Sequence, residues 1–263
     1  MNIIVCVKQV PEVADAELEI NKEGTRIETE DLVMDINEWD NYAVEEAVRI
    51  KEAHGGSVTV VTLGDEDSED VLRRALAMGA DEAILIDEEG FEASDAAGIA
   101  RGIFRTIQEL AFDLVLTGVQ SADDGWGQVG LTLAEFLNIP YASMAVGIDV
   151  EGQSVIVLRE LEANTQEKVK LPLPAVLTIQ TGINDPRYVS IMGIRKVRNI
   201  EIKKTQAQEI GLSDNEIGAK GSSVASRKLS PPPLGEGAEI LTGSLGEICE
   251  KTAQIIRDKG GVE

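Results

Sequence analysis

Short apolar runs alternate with amphipathic stretches along the first 140 residues. The run Ile3-Ile4-Val5-Cys6-Val7 is unbroken, the pattern of a strand covered on both faces. Similar runs at 57–63, 82–86 and 113–117 predict three more core strands. Between them, Ala43, Ala47 and Ile50 keep the helical period and predict a helix over 40–53, stopped by Gly55 and Gly56. Val71, Leu72, Ala75 and Leu76 mark a second helix over 68–78 with Gly79 as its C-cap. Ile99, Ile103 and Ile107 mark a third over 94–110, and residues 131–137 a fourth. Segments 18–20 and 25–27 flank a turn at Gly24 and predict a hairpin. Strand and helix in this alternation mean right-handed crossovers, hence an α/β fold with a doubly wound, mainly parallel sheet. Ligands of such sheets sit at the carboxyl ends of the strands, near the switch point.

Beyond Pro140 the pattern turns to strands, at 145–150, 155–159, 167–171 and 175–179, which extend the sheet. Residues 183–197 are expected as a loop and 200–203 as a short strand. The stretch 204–235 is rich in Ser, Gly, Lys and Pro and is expected as an extended arm. Ser244 and Glu247 form a capping box for a final helix, with Leu245, Ile248, Ile255 and Ile256 as its apolar stripe and Gly260-Gly261 as its stop. The expected division is therefore an α/β domain at 1–203 and an arm with a helix at 204–263.

Composition narrows the chemistry. Aromatic residues are only 3% of the 263, so the cores are built from aliphatic side chains. There are 24 Lys and Arg against 47 Asp and Glu, a net charge of −23, which repels nucleic acid and anionic membranes. The one histidine, His54, sits at a helix end where it complements the dipole, so Ser–His–Asp machinery and multi-His metal sites have no support. Cys6 and Cys249 form no Cys-x-x-Cys pair. The chain shows neither a signal-peptide pattern nor a run of about 18 apolar residues, so a soluble, cytoplasmic protein, not embedded in a membrane, is expected.

The stretch Gly118-Val119-Gln120-Ser121-Ala122-Asp123-Asp124-Gly125-Trp126-Gly127-Gln128-Val129-Gly130 carries the chemistry. It leaves a strand and enters a helix, with glycines that let backbone approach a ligand and amides that open a helix N-terminus, the geometry of an anion site. It is neither a Gly-x-Gly-x-x-Gly fingerprint nor a P-loop. Asp123 and Asp124 would repel a polyphosphate without a metal, so a monophosphate or a ribose hydroxyl fits better. A plain Gly-rich turn is the competing reading, and Trp126 is either a stacking ring or a hydrophobic cover. An ATP- or AMP-binding sensor domain, or an adenylating enzyme of the same broad fold, is a further alternative. The enzyme would need a basic residue on the phosphate, and the loop offers none.

A family resemblance runs through the chain in order. Leu72-Arg73-Arg74-Ala75-Leu76-Ala77-Met78-Gly79-Ala80-Asp81 resembles the signature of the beta subunit of electron transfer flavoprotein. Val5-Cys6-Val7-Lys8-Gln9-Val10-Pro11 is similar to that family's first strand and turn. Asn37 with Ala43-Val44-Glu45-Glu46-Ala47 resembles its first helix, residues 118–130 its adenine-nucleotide loop, and Asn184-Asp185-Pro186-Arg187-Tyr188 the segment before its partner-recognition loop.

The resemblance implies the adenine-nucleotide α-hydrolase-like fold and a heterodimer with an alpha subunit that holds most of the FAD site. Electrons come from dehydrogenases such as those acting on acyl-CoA in fatty acid oxidation and pass to a quinone-linked or other acceptor. The chain itself is an electron-carrier subunit with no catalytic residues of its own and no metal. It implies a structural AMP in this subunit, with contacts carried to Cys6, Asn37, Glu38, Trp39, Asp40, Leu63, Gly118, Gln120, Ser121, Asp123, Asp124, Gly125, Trp126, Gly127, Gln128 and Val129. Ile191 stands where the family has one apolar anchor for the dehydrogenase, beside Met192, with Arg195, Lys196 and Arg198 as a basic patch. The C-terminal arm is implied to reach the alpha subunit. Members that bifurcate electrons hold a second FAD in place of AMP. Gln128-Val129-Gly130 leans toward them, Asp123-Asp124 toward AMP, and the Trp126 ring takes volume that an isoalloxazine would need.

Overall fold

Four consecutive buried residues, Ile3 to Cys6, make the central strand, β1 (Asn2–Cys6). Ile3 and Val5 point into one apolar core and Ile4 and Cys6 into another, so the strand has no solvent face. A small antiparallel ribbon of β2 (Gln9–Pro11) and β3 (Met34–Ile36) follows. Then come α1 (Glu38–His54), β4 (Ser57–Gly64), α2 (Glu69–Met78), β5 (Glu82–Asp87), α3 (Ala96–Ile107), β6 (Leu114–Gly118) and α4 (Val129–Leu137). These match the predicted alternation to within a few residues, and Gly79 closes α2 with φ +128° as its expected C-cap. The structure, a computed structural model, describes residues 1–260 other than 14, 15, 17, 234 and 236.

The chain continues through β7 (Tyr141–Glu151), β8 (Ser154–Glu160), β9 (Gln166–Pro172), β10 (Ala175–Ile179), α5 (Ile191–Val197), β11 (Ile202–Thr205) and α6 (Gly218–Gly221). One nine-stranded sheet results, in the order β11-β5-β4-β1-β6-β10-β7-β8-β9, with only the β7–β8 and β8–β9 pairs antiparallel. Ala43, Val44, Ala47, Leu72 and Ala75 of α1 and α2 cover one face. Ile103, Ile107, Leu133 and Ala134 of α3 and α4 cover the other. This is the predicted doubly wound α/β architecture with its β extension. The predicted hairpin reduces to a bridge between Ile20 and Ile27, with Gly24 in its turn at φ +72°.

Three regions depart from expectation. The β2–β3 ribbon falls on segments too short to show a period. Within the expected loop 183–197, residues 191–197 form α5. Ser190 Oγ accepts the Gly193 N–H at its start, while Arg73 donates to the Val197 and Ile200 carbonyls at its end. No residue of α5 is buried, and at 7 residues it is too short to show a helical period.

The third correction concerns 204–235. β11 joins the sheet edge, and Ala207, Leu212 and Ile217 then bury themselves in the α3-side core. Asp95 fastens this segment: one carboxylate oxygen caps α3 at the Ala97 and Gly98 N–H groups, and the other accepts from Ser223 and Val224. The first compact unit accordingly runs Met1–Arg227, not 1–203. Ala207, Leu212 and Ile217 stand among mostly polar neighbours at a spacing that fits neither the helical nor the strand period, which hid the packing.

The second unit, Lys228–Glu263, contains α7 (Leu245–Asp258). Its capping box forms as expected, Ser244 Oγ accepting the Glu247 N–H and the Glu247 carboxylate accepting the Ser244 N–H. Leu245, Ile255 and Ile256 of its stripe are exposed. Gly260 follows with φ +73°, and Gly261 lies outside the described residues. No described helix is long and apolar enough to cross a membrane.

Candidate functional site

Beyond β1 the chain turns toward β4 on one side and later returns to β6 on the other, so the strand ends diverge there. Asp40, in the first turn of α1, ties them together. One of its carboxylate oxygens accepts the Lys8 N–H at 2.8 Å and the other the Gly118 N–H at 2.9 Å. The group is buried, and burial pushes its carboxyl up to about 7 against the pull of those two N–H donors. Burial and the neighbouring Asp40 charge also push the Cys6 thiol up to about 12, which keeps it protonated and inert.

Next to this tie opens a cleft of about 280 Å³. Its walls include Leu63, Ile99 and Ile103 on the apolar side and residues 117–121, 124 and 126–130 on the other. Thr62 belongs to its lining, while its side chain alternates with those of Val61 and Leu63 onto the α1 side of the sheet. Gln128, Val129 and Gly130, where α4 begins, also line the cleft. α4 begins at Gln128 with no side-chain cap, as α1, α2 and α6 also do, but of these four helix starts it is α4's that stands in the Gly-rich loop of the cleft. The free N–H groups of a first turn are anion donors.

The loop before α4 is braced from β1 and α1. Asn37 donates to the Gln120 carbonyl at 2.8 Å and accepts the Ala122 N–H at 3.1 Å. Lys8 Nζ lies 2.6 Å from Asp123, 3.0 Å from Asp124 and 3.4 Å from Ser121 Oγ. The loop itself carries no basic residue, but Lys8 reaches it from beyond the end of β1 and pairs with both aspartates. Burial draws the Lys8 ammonium down, but Asp123 and Asp124 outweigh it and hold it above its usual value. The only hint in the sequence is position: Lys8 comes two residues after a parallel strand, where such sheets place ligand contacts.

Of the residues singled out from the sequence, Cys6, Asn37, Asp40, Leu63, Gly118, Gln120, Ser121, Asp124, Trp126, Gly127, Gln128 and Val129 line the cleft together. Four do not. Glu38 is exposed on α1, Trp39 turns its indole N–H to Gln180 at 2.9 Å, Asp123 faces Lys8, and Gly125 donates from its backbone to the Ser121 carbonyl. Ser94, Ala96, Ile99 and Ile103 also line the cleft and were missed. Their helix reads as core from sequence, and only its first turn and one flank reach the site.

A second surface stands on α5 and the segment before it. Arg187 clamps Glu45 of α1 through its Nε at 2.8 Å and also pairs with Glu52, while Asn184 donates to the Tyr42 carbonyl and to Glu46. Burial raises the Glu45 carboxyl, but Arg187 and Arg49 more than reverse this and hold it low. On that base Tyr188, Ile191 and Met192 are 90%, 71% and 61% exposed, with Arg195 and Lys196 exposed beside them.

The family model of the electron transfer flavoprotein domain matches residues 25–210. The chain is 35% identical to the electron transfer flavoprotein subunit beta of Methylophilus methylotrophus, covering 99% of this chain and all of the relative. It is 34% identical to the subunit of the same name from Bacillus subtilis, over the full length of both. It is 35% identical to the Caffeyl-CoA reductase-Etf complex subunit CarD of Acetobacterium woodii, over 98% of this chain and 99% of the relative. A domain match across most of the chain and full-length relatives above 30% identity place this chain in the family of electron transfer flavoprotein beta subunits.

Proposed function

We propose that the chain is the nucleotide-holding, partner-recognising half of a two-subunit electron carrier. Its alpha subunit holds most of the FAD site, and this subunit is an electron-carrier component with no catalysis of its own. The observation that carries the reading is the uncapped start of α4, whose residues Gln128, Val129 and Gly130 line a cleft also walled by Leu63, Ile99 and Ile103. In it the N–H groups near Gln128 and Val129 receive a phosphate, Leu63, Ile99 and Ile103 shelter a base, and Asp40 keeps the two strand ends together beneath. AMP is the ligand this favours: it adds no redox chemistry and fills the cleft, whose volume of about 280 Å³ is at the low end for ligand sites.

On this reading Ile191, Met192 and Tyr188, flanked by Arg195 and Lys196, receive donor dehydrogenases such as those acting on acyl-CoA in fatty acid oxidation. The electrons then pass to a quinone-linked or other acceptor, in the cytoplasm. A second FAD in the same cleft is the competing reading, toward which Gln128-Val129-Gly130 leans. Co-expression with the alpha subunit, visible absorbance of the complex and chromatography of its acid-released nucleotides test all of this. One FAD and one AMP per dimer are expected. Two FAD with no AMP would overturn the ligand, and a colourless complex would overturn the whole reading.

A further inference from the structure

Asp123 and Asp124 pose an electrostatic problem to any anionic ligand of this cleft. Asp124 lines it and Asp123 adjoins it, in a chain of net charge −23. Among the described residues that line the cleft, Lys8 is the one cation. Its ammonium has three donors, and three acceptors stand around it: Asp123 at 2.6 Å, Asp124 at 3.0 Å and Ser121 Oγ at 3.4 Å.

The root of the lysine is equally constrained. Its N–H is held by Asp40 and its carbonyl accepts the Asn37 N–H at 2.9 Å. From this anchored position the side chain crosses to a loop more than a hundred residues further along the chain. The loop is stiffened from within as well, since Ser121 Oγ donates to Asp124, which also accepts the Trp126 N–H.

We propose that Lys8 is the positioning residue of the nucleotide loop: its ammonium, spent on Asp123, Asp124 and Ser121, draws the loop onto the end of β1 and offsets one of the two negative charges that would turn a phosphate away. It acts through the loop and not as a ligand to the phosphate. The inference rests on the nucleotide reading above and deepens it. The lowered carboxyl of Asp123, which Lys8 holds down against burial, agrees with a standing ion pair.

The test uses the purified heterodimer, titrated with AMP at low and high salt. Lys8→Met keeps the apolar stem and removes the charge, and should weaken AMP about tenfold at low salt and less at high salt. Adding Asp123→Asn and Asp124→Asn to Lys8→Met should restore affinity to within about threefold, because the charges that needed an answer are gone. A triple variant as weak as Lys8→Met alone would mean that the lysine touches the phosphate itself, and would overturn the proposal. So would Lys8→Met binding like the parent.

Hydrogen exchange in residues 119–128, measured without nucleotide, keeps the two claims apart. Lys8→Met should speed exchange there with the rest of the sheet unchanged, and Lys8→Arg should not. If the parent complex fails to take AMP, the nucleotide reading falls while this exchange pattern still decides the tether.

Discussion

Gly130→Ala tests whether the start of α4 is as tightly seated as the cleft requires. Gly130 is buried, and a methyl group on it would stand 2.8 Å from Thr178 Cγ2 and closer still to Thr117 Oγ1. Neither threonine can turn aside cheaply. Thr117 Oγ1 donates to the Gly118 carbonyl at 2.9 Å, and Thr178 Oγ1 accepts the Met144 N–H at 3.1 Å. Alanine gains about 1 kcal/mol over glycine in a helix, against an overpacking cost of about 1–3 kcal/mol. The net destabilisation is therefore small, about 0–2 kcal/mol. Relief must come from moving the helix start away from β6 and β10, by several tenths of an ångström, and those residues line the cleft. AMP retention should fall about tenfold while the urea midpoint hardly changes. Gly246→Ala is the control, exposed on α7 with open space around its methyl, and should show the helix gain alone. If Gly130→Ala keeps its nucleotide and is stabilised like the control, the close approach described here does not govern the site.

Asp40 binds its proton more tightly when folded, so its contribution falls as pH rises from its unfolded value near 4 to about 7. Asp40→Asn should remove that part of the slope, and parallel urea-midpoint profiles for parent and variant would refute the assignment. Glu45 has the opposite sign: its lowered carboxyl stabilises above its unfolded value and the gain is lost as pH falls through the folded one. Arg187→Gln, which leaves Glu45 only Arg49, should cost about 2 kcal/mol near neutrality and little in acid; a loss of equal size at both would argue against it. Ile191→Ala should slow electron transfer from the donor dehydrogenase about tenfold with the flavin spectrum intact, and unchanged kinetics would rule out the anchor.

Elements whose side chains repeat a period were legible in the sequence. β1, β4, β5 and β6 are mainly apolar, buried strands, and the stripes of α1 to α3 face a core along their length. Elements held by single long-range contacts were not. α5 exists because Ser190 and Arg73 serve its two ends, and the 206–227 segment because three of its own apolar side chains enter the α3-side core and Asp95 fastens it from outside. The candidate site divides in the same way. The Gly-rich loop announces itself locally, whereas the answer to its two aspartates comes from Lys8, 115 positions before the first of them.

The bare start of α4 has a consequence for anyone who tries to make this protein more robust. Gln128→Asp would supply a capping side chain, worth about 1 kcal/mol of helix stability once the backbone there, now at φ −114° and ψ −25°, turns to the extended form of a cap. It would also set a carboxylate where the cleft offers its N–H groups. Stability has been left unclaimed at that position, and selection for heat tolerance alone would drift toward claiming it at the expense of binding. Hardened versions of this chain therefore have to be screened with the ligand present, because thermal assays of the empty protein would reward losing the site.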